Sequence, residues 1–220
     1  MKSYDSFLKK FRIVRFKKGE VILQQDEVPP AVYVVQEGVV KTYNITADGN
    51  EKPISFEVKN EIFPVAWTFF RAHRTLFYYE ALTDVRLFVV PRQDFKTFLN
   101  SSASIAYDMF DTYIGRYVGY TLRVHALSQS KAREKLLHTL HFLCLRFGRD
   151  ISRDNVKIGI PLTQQEIANF MGLSRETTAI ELKKLEQQGV ITYRQKSYRV
   201  LTNKLNELLT DEYNPGLRIK

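Results

Sequence analysis

The sequence predicts an α+β chain in three parts: an all-β sandwich, barrel or jelly roll, one long helix, and a compact helical pair followed by a β-hairpin. Three observations predict it. Between residues 11 and 95 short apolar runs alternate with turn signals about every 8–12 residues. From about Asn100 the apolar period changes from two to seven. Residues 163–200 then carry two short amphipathic runs, each closed by glycine, and a basic hairpin. The expected domains are therefore 1–99, 100–127 and 128–220.

In the first part, strands are expected over 11–16, 20–23, 31–35, 39–43, 51–56, 77–82 and 85–90, with Asp48-Gly49 as the clearest hairpin signal. In the second, Ala106, Phe110, Tyr113, Tyr117, Tyr120, Val124 and Leu127 are spaced alternately four and three, the seam of a coiled coil. Phe110 through Leu127 on that seam are the expected dimer interface. Met109, Ile114, Val118 and Leu122 form a second face, assigned to the β-roll. Ser128-Gln-Ser130 breaks the helix, and another runs over 131–147 with Leu136, Leu137, Leu140 and Leu143 inward. A short strand over 155–161 and a last helix over 203–209 complete the third part.

Thr163 and Glu166 form a capping box that opens the first short helix. Gly172-Leu173 makes the turn, with Ala168 and Gly172 read as small residues at a close helix crossing. Ser174 is an N-cap for the second helix, and Gly189 ends it. Thr178, Leu182 and Leu185 fall on one stripe of that helix, with Glu176, Ile180, Lys183 and Gln187 opposite. After it, 190–193 and 198–201 flank a polar turn, Arg194-Gln195-Lys196-Ser197. A small helical pair with a solvated charged face is the alternative. The capping box, the serine-started second helix and the basic hairpin together point instead to a winged helix-turn-helix that binds DNA.

Composition agrees. The net charge is +9, and from Ser128 onward about 16 Lys and Arg face about 10 Asp and Glu, which favours a polyanion partner. The single cysteine, Cys144, excludes an internal disulfide and an iron–sulfur cluster. No run is apolar enough to span a bilayer and the N-terminus lacks a signal-peptide core, so no membrane partner and a cytoplasmic location are expected. No nucleophile elbow, metal cluster or phosphate loop is present, so neither an enzyme, a catalytic residue, a metal nor a cofactor is expected. His138 and His141 read as surface histidines, without a third ligand for a metal.

The stretch from Leu162-Thr-Gln-Gln-Glu-Ile-Ala through Leu173-Ser-Arg-Glu-Thr to Leu182-Lys-Lys-Leu-Glu resembles the DNA-binding domain of the CRP/FNR family of bacterial transcription regulators. The first part resembles that family's cyclic-nucleotide-binding roll at Phe16-Lys-Lys-Gly-Glu-Val-Ile-Leu and Val32-Tyr-Val-Val-Gln-Glu-Gly-Val-Val, with Asp26 where glycine is common. The resemblance implies a homodimer on near-palindromic double-stranded DNA with a TGA-like core in each half-site. Arg175 and Glu176 would then read bases, with Ser174, Thr177 and Ile180 beside them. Lys183, Arg194, Lys196 and Arg199 would meet phosphates. Many members carry Arg at the position of Ile180, and an aliphatic group there favours a thymine methyl. RNA polymerase is a further candidate partner.

The same resemblance tests for an effector. Glu61 matches the acidic ribose ligand, but Asn60 replaces its glycine. Arg74-Thr75 looks like the phosphate-binding pair, one residue out of step when aligned on Glu80-Ala81. Alignment on Arg133 places Val118 and Gly119 where hydroxyls belong. A buried phosphate without a cation is costly, so cyclic AMP is not the expected effector. Glu61, Arg74, Thr75 and Tyr117 remain the candidate pocket residues for an unidentified small molecule. The aromatic run Trp67, Phe69, Phe70, Phe77, Tyr78 and Tyr79 reads as core under a loop, or as the lining of an apolar pocket. His73 has no nearby cysteine to support a haem role. A regulator that needs no effector and a non-specific architectural DNA binder are the alternatives.

Overall fold

The computed structural model describes residues 2–152 and 154–209. Met1 and the end of the expected third domain, 210–220, lie outside the described residues. The chain forms two compact units, divided after Met109.

The first unit runs α1 (Lys2–Leu8), β1 (Ile13–Phe16), β2 (Val21–Leu23), β3 (Val32–Glu37), β4 (Val40–Ile45), β5 (Glu51–Glu57) and β6 (Ile62–Phe63). A short α2 (Val65–Thr68), β7 (Tyr78–Ala81), β8 (Val85–Val90) and α3 (Arg92–Asn100) follow. Its strands make two sheets, ordered β1-β8-β3-β6 and β2-β7-β4-β5. Tyr33, Val35 and Leu87 from the first sheet pack on Leu23, Val40, Tyr79 and Ala81 from the second, which is the roll's core. Asp26 takes a left-handed φ of 63°, so it serves in a turn position that glycine ordinarily fills.

A buried cation ties the second sheet together. Lys41 Nζ on β4 lies 2.6 Å from Glu51 Oε2 on β5 and 3.1 Å from Glu80 Oε1 on β7, and 4.3 Å from the Tyr43 ring centroid. Two carboxylates and a ring face offset the desolvation of one ammonium.

Helices α1 and α3, which the all-β reading omitted, pack on each other. Phe7 stacks on Phe98 with centroids 4.0 Å apart, and Tyr4 lies on the same ring at 5.9 Å. Of the aromatic run, Trp67 and Tyr79 are buried and Phe70 is exposed. The Arg92 guanidinium covers Phe70 at 3.4 Å and Trp67 at 4.3 Å.

The long helix α4 (Ala103–Ser128) runs from the first unit into the second. After it come α5 (Ala132–Phe147), β9 (Gly148–Ser152), β10 (Asn155–Ile158), α6 (Gln164–Met171), α7 (Arg175–Gln187), β11 (Ile191–Arg194), β12 (Ser197–Leu201) and α8 (Thr202–Leu208). Strands β11-β12-β10-β9 form one antiparallel sheet, and β9 was not anticipated. Leu136, Leu137, Leu140 and Leu143 of α5 are buried, with α6, α7 and β10 packed against that helix. No helix among the described residues is long and apolar enough to cross a membrane.

His141, expected at the surface, is buried on α5, because it stands four residues after Leu137 and three before Cys144 on one buried stripe. Burial first, and the neighbouring His138 second, lower its pKa to about 4. The folded protein thus keeps His141 neutral where an unfolded chain would protonate it. Stability should fall as pH drops from about 6.5 to about 4, by up to about 1.4 kcal/mol per pH unit from this group. Urea unfolding of His141→Gln across that window should show a slope shallower by that amount. An unchanged slope would mean His141 takes up its proton in the folded state.

Candidate nucleic-acid interface

The second unit builds its helix pair from local hydrogen bonds. Thr163 Oγ1 accepts from Glu166 N at 3.1 Å, and Glu166 Oε2 accepts from Thr163 N at 2.5 Å, so both ends of the capping box are made. Gly172 ends α6 in a left-handed conformation, φ 68°. A Cβ built there would meet nothing within 4 Å, so Gly172 is required by its backbone and not by a close helix crossing. Ala168, fully buried, is the small residue at the packed face.

Ser174 Oγ then accepts from Thr177 N at 3.1 Å and starts α7. Thr178, Leu182 and Leu185 of α7 are buried. Ser174, Arg175, Glu176 and Lys183 are exposed, and Ile180 is 56% exposed in spite of being aliphatic. Thr177 is half-buried, its hydroxyl accepting from Ser174 Oγ at 3.0 Å. The start of α7 therefore presents a guanidinium, a carboxylate and free helix N–H groups to solvent, the functional set that can reach base edges and phosphates in a groove.

The hairpin beside it is tighter than expected. Arg194 and Ser197 are the last paired residues of β11 and β12, leaving Gln195 and Lys196 as a two-residue turn, both left-handed. Lys196 O accepts from Leu162 N at 3.2 Å, which fixes the tip beside the start of α6. Arg194, Lys196 and Arg199 are all exposed.

One residue that sequence reasoning passed over bears on this arrangement. Arg123 of α4 lays its guanidinium over the Phe170 ring at 3.9 Å and donates from Nη2 to Phe170 O at 3.3 Å. That carbonyl belongs to the last turn of α6, whose orphan acceptors and dipole favour a cation. Phe170 also stacks on Phe142 of α5, centroids 6.0 Å apart. Burial lowers the Arg123 pKa to about 10, still charged at neutral pH. The helix pair is thus pinned to α4 next to its turn.

The candidate effector residues are engaged locally. Thr75 is buried, its hydroxyl donating to Gln24 O at 2.5 Å and accepting from Glu27 N at 3.1 Å. Arg74 is exposed and donates from Nη1 to Asp26 O at 2.8 Å. Both therefore clamp the turn after β2. Glu61 is buried, and its Oε2 accepts from Val58 N at 3.0 Å. Asn60 before it takes φ 71°, keeping a glycine-like turn without glycine. Tyr117 lies on α4 in the other unit and is 65% exposed.

Along α4 the exposed apolar residues are Tyr107, Phe110, Ile114, Tyr117, Tyr120, Val124 and Leu127. Ile114, read from the sequence as facing the roll, joins this exposed set, and Tyr113 is half-buried. The buried residues of α4 are Arg116, Gly119 and Ala126.

Residues 13–102 match the cyclic nucleotide-binding domain family, and residues 134–209 match the Crp-like helix-turn-helix domain family. The chain belongs to the CRP/FNR family of transcription regulators. Among its relatives in this family is the global nitrogen regulator of Synechococcus elongatus, 26% identical over 190 residues, covering 86% of this chain and 85% of that protein. A nitrogen fixation regulation protein FixK of Rhizobium meliloti is 25% identical over 182 residues, covering 83% of this chain and 79% of its own length. The solved structure of FixK2 from Bradyrhizobium japonicum has the same fold, with a TM-score of 0.75 at 20% identity over 92% of this chain and 99% of that one. These relatives are regulators and not enzymes. The CRP/FNR assignment makes the helix-turn-helix of this chain a DNA-binding domain.

The pin at Arg123 can be measured. A double-mutant cycle of Arg123→Met and Phe170→Leu, read by urea unfolding, should give a coupling of about 0.5–2 kcal/mol. Additive losses would show that the stacked guanidinium contributes nothing beyond its own burial.

Proposed function

We propose that the protein is a homodimeric, sequence-specific regulator that places two α7 helices in successive major grooves of a near-palindromic site. The half-sites would lie about 34 Å apart on one face of the duplex. The observation that carries this reading is the exposed start of α7, where Ser174 caps the helix by accepting from Thr177 N and leaves Arg175, Glu176 and Ile180 turned outward. Arg175 grips a guanine O6 and N7, Glu176 accepts from a cytosine N4, and Ile180 rests on a thymine methyl. Lys183, Arg194, Lys196 and Arg199 meet phosphates and set register.

Dimerisation rests on α4. Phe110, Tyr117, Tyr120, Val124 and Leu127, with Tyr113 at the margin, would pair with their copies along an exposed stripe about five turns long. That stripe supports the dimer because an aromatic row of this length is rarely left in water.

For the effector, the local engagement of Arg74 and Thr75 supports a regulator that does not respond to cyclic AMP. In this reading the roll is competent without it, so untreated recombinant protein binds its promoter. Addition of cyclic AMP leaves that binding unchanged. RNA polymerase would be the partner through which a bound dimer acts.

Arg175→Ala should weaken binding to the selected site by about 1–3 kcal/mol and binding to random duplex very little. Equal loss on both would restrict Arg175 to phosphate contact. Val124→Glu, which is 65% exposed in the single chain, should leave the fold intact and shift the protein to monomer by light scattering. Its affinity for a two-half-site duplex should then collapse to that for a single half-site. A Val124→Glu protein that stays dimeric would place the interface elsewhere.

A further inference from the structure

The solvent face of the C-terminal sheet carries a row of cations that the helix-turn-helix does not account for. In strand register, Arg149 of β9 lies opposite Lys157 of β10, Lys157 lies opposite Arg199 of β12, and Arg199 lies opposite Thr192 of β11. Directly opposed residues share a face and sit about 5 Å apart, so three positive charges stand side by side across about 10 Å. All three are exposed. Among the described residues none of them is held in an ion pair. Asp150, the nearest acid in sequence, pairs with Val156 and so belongs to the other face. Like charges directly opposed in a sheet oppose its pairing, and an arrangement of this kind has a use only if an anion covers it.

The row is also shaped. Where a Cβ would stand at Gly159, Arg149 Nε lies 3.2 Å away and Arg149 Cγ 3.6 Å. The arginine stem therefore lies on bare backbone two residues beyond Lys157, just past the end of β10, and its guanidinium is held close to the sheet surface. Arg194 follows Thr192 by two on β11 and so shares the face, which links the row to the hairpin tip at Lys196.

We propose that Arg149 and Lys157 extend the wing into a phosphate track for DNA flanking each half-site, so that the bound duplex is followed past the segment read by α7. The inference rests on the reading of the protein as a DNA-binding dimer. Two features favour nucleic acid over an acidic protein surface: the cations continue those of the wing, and the row lacks a central apolar anchor of the kind protein interfaces use. Ile151, exposed on β9, lies at the sheet's edge strand.

The test uses the full chain, the double variant Arg149→Gln/Lys157→Gln and its charge-conserving counterpart Arg149→Lys/Lys157→Arg. Binding is measured by fluorescence anisotropy over a salt series on two duplexes, one ending at the outer edges of the selected site and one longer by about 10 base pairs on each side. Wild type should bind the long duplex more tightly and with a steeper salt dependence. The glutamine variant should lose about tenfold or more on the long duplex, with the slope of log K against log salt reduced by about 0.9 for each phosphate contact removed. It should match wild type on the short duplex, and the charge-conserving variant should match wild type on both. Unchanged affinity and slope on the long duplex overturn the track. So does unchanged DNA binding with reduced transcription in a reconstituted assay, which assigns the row to an acidic protein. Equal loss on both duplexes also overturns it, by placing these cations within the core site. Wild-type protein with no sequence preference on either duplex would remove the regulator reading itself, and the track with it.

Discussion

The stack of Arg123 on Phe170 is the constraint that ties α4 to a helix pair otherwise held by its packing on α5. The turn at Gly172 joins α6 to α7, α5 supplies the apolar surface on which both pack, and Arg123 adds a polar tie from α4. A guanidinium suits this contact better than an ammonium would, because its flat face covers a ring while its edge still donates to a carbonyl. The acceptor is one of the orphan carbonyls at the end of α6, so a single side chain satisfies a helix terminus, covers an aromatic face and joins two elements.

Local hydrogen bonds do the remaining positioning. The reciprocal bonds of Thr163 and Glu166, the left-handed Gly172 and the Ser174 cap all fall between Thr163 and Thr177, and the hydrogen bonds among them each span three positions. These short-range devices were legible in the sequence because their residue types have few other uses in that order. Strands β1 to β5, β7 and β8 of the roll were legible for the same reason, through alternation and turn residues, whereas the two-residue β6 carries no such signal. The inward leucines of α5 followed from helical spacing.

What was not legible depended on contacts distant in sequence. Nothing in the spacing of Arg123 marks it as the partner of a ring on α6, since it lies between Tyr120 and Val124 on a helix read for its apolar stripes. Arg149 and Lys157 become neighbours only when β9 pairs with β10, and β9, with its Arg-Asp-Ile-Ser sequence, carries no strand alternation. Helices α1 and α3 escaped because each is short and flanks a stretch read only for strand alternation, although Phe95, Phe98 and Leu99 keep helical spacing. Gly172 shows the reverse case: the position was recognised, but the reason for it is backbone angle and not space.

Asn60 and Asp26 illustrate a separate economy. Both occupy left-handed turns with residues that retain a side chain, and the path of the main chain survives the exchange. The scaffold of the roll is therefore insulated from the identity of what its loops contact. Chemical specificity on such a frame can be rewritten one side chain at a time, with the turns themselves left in place.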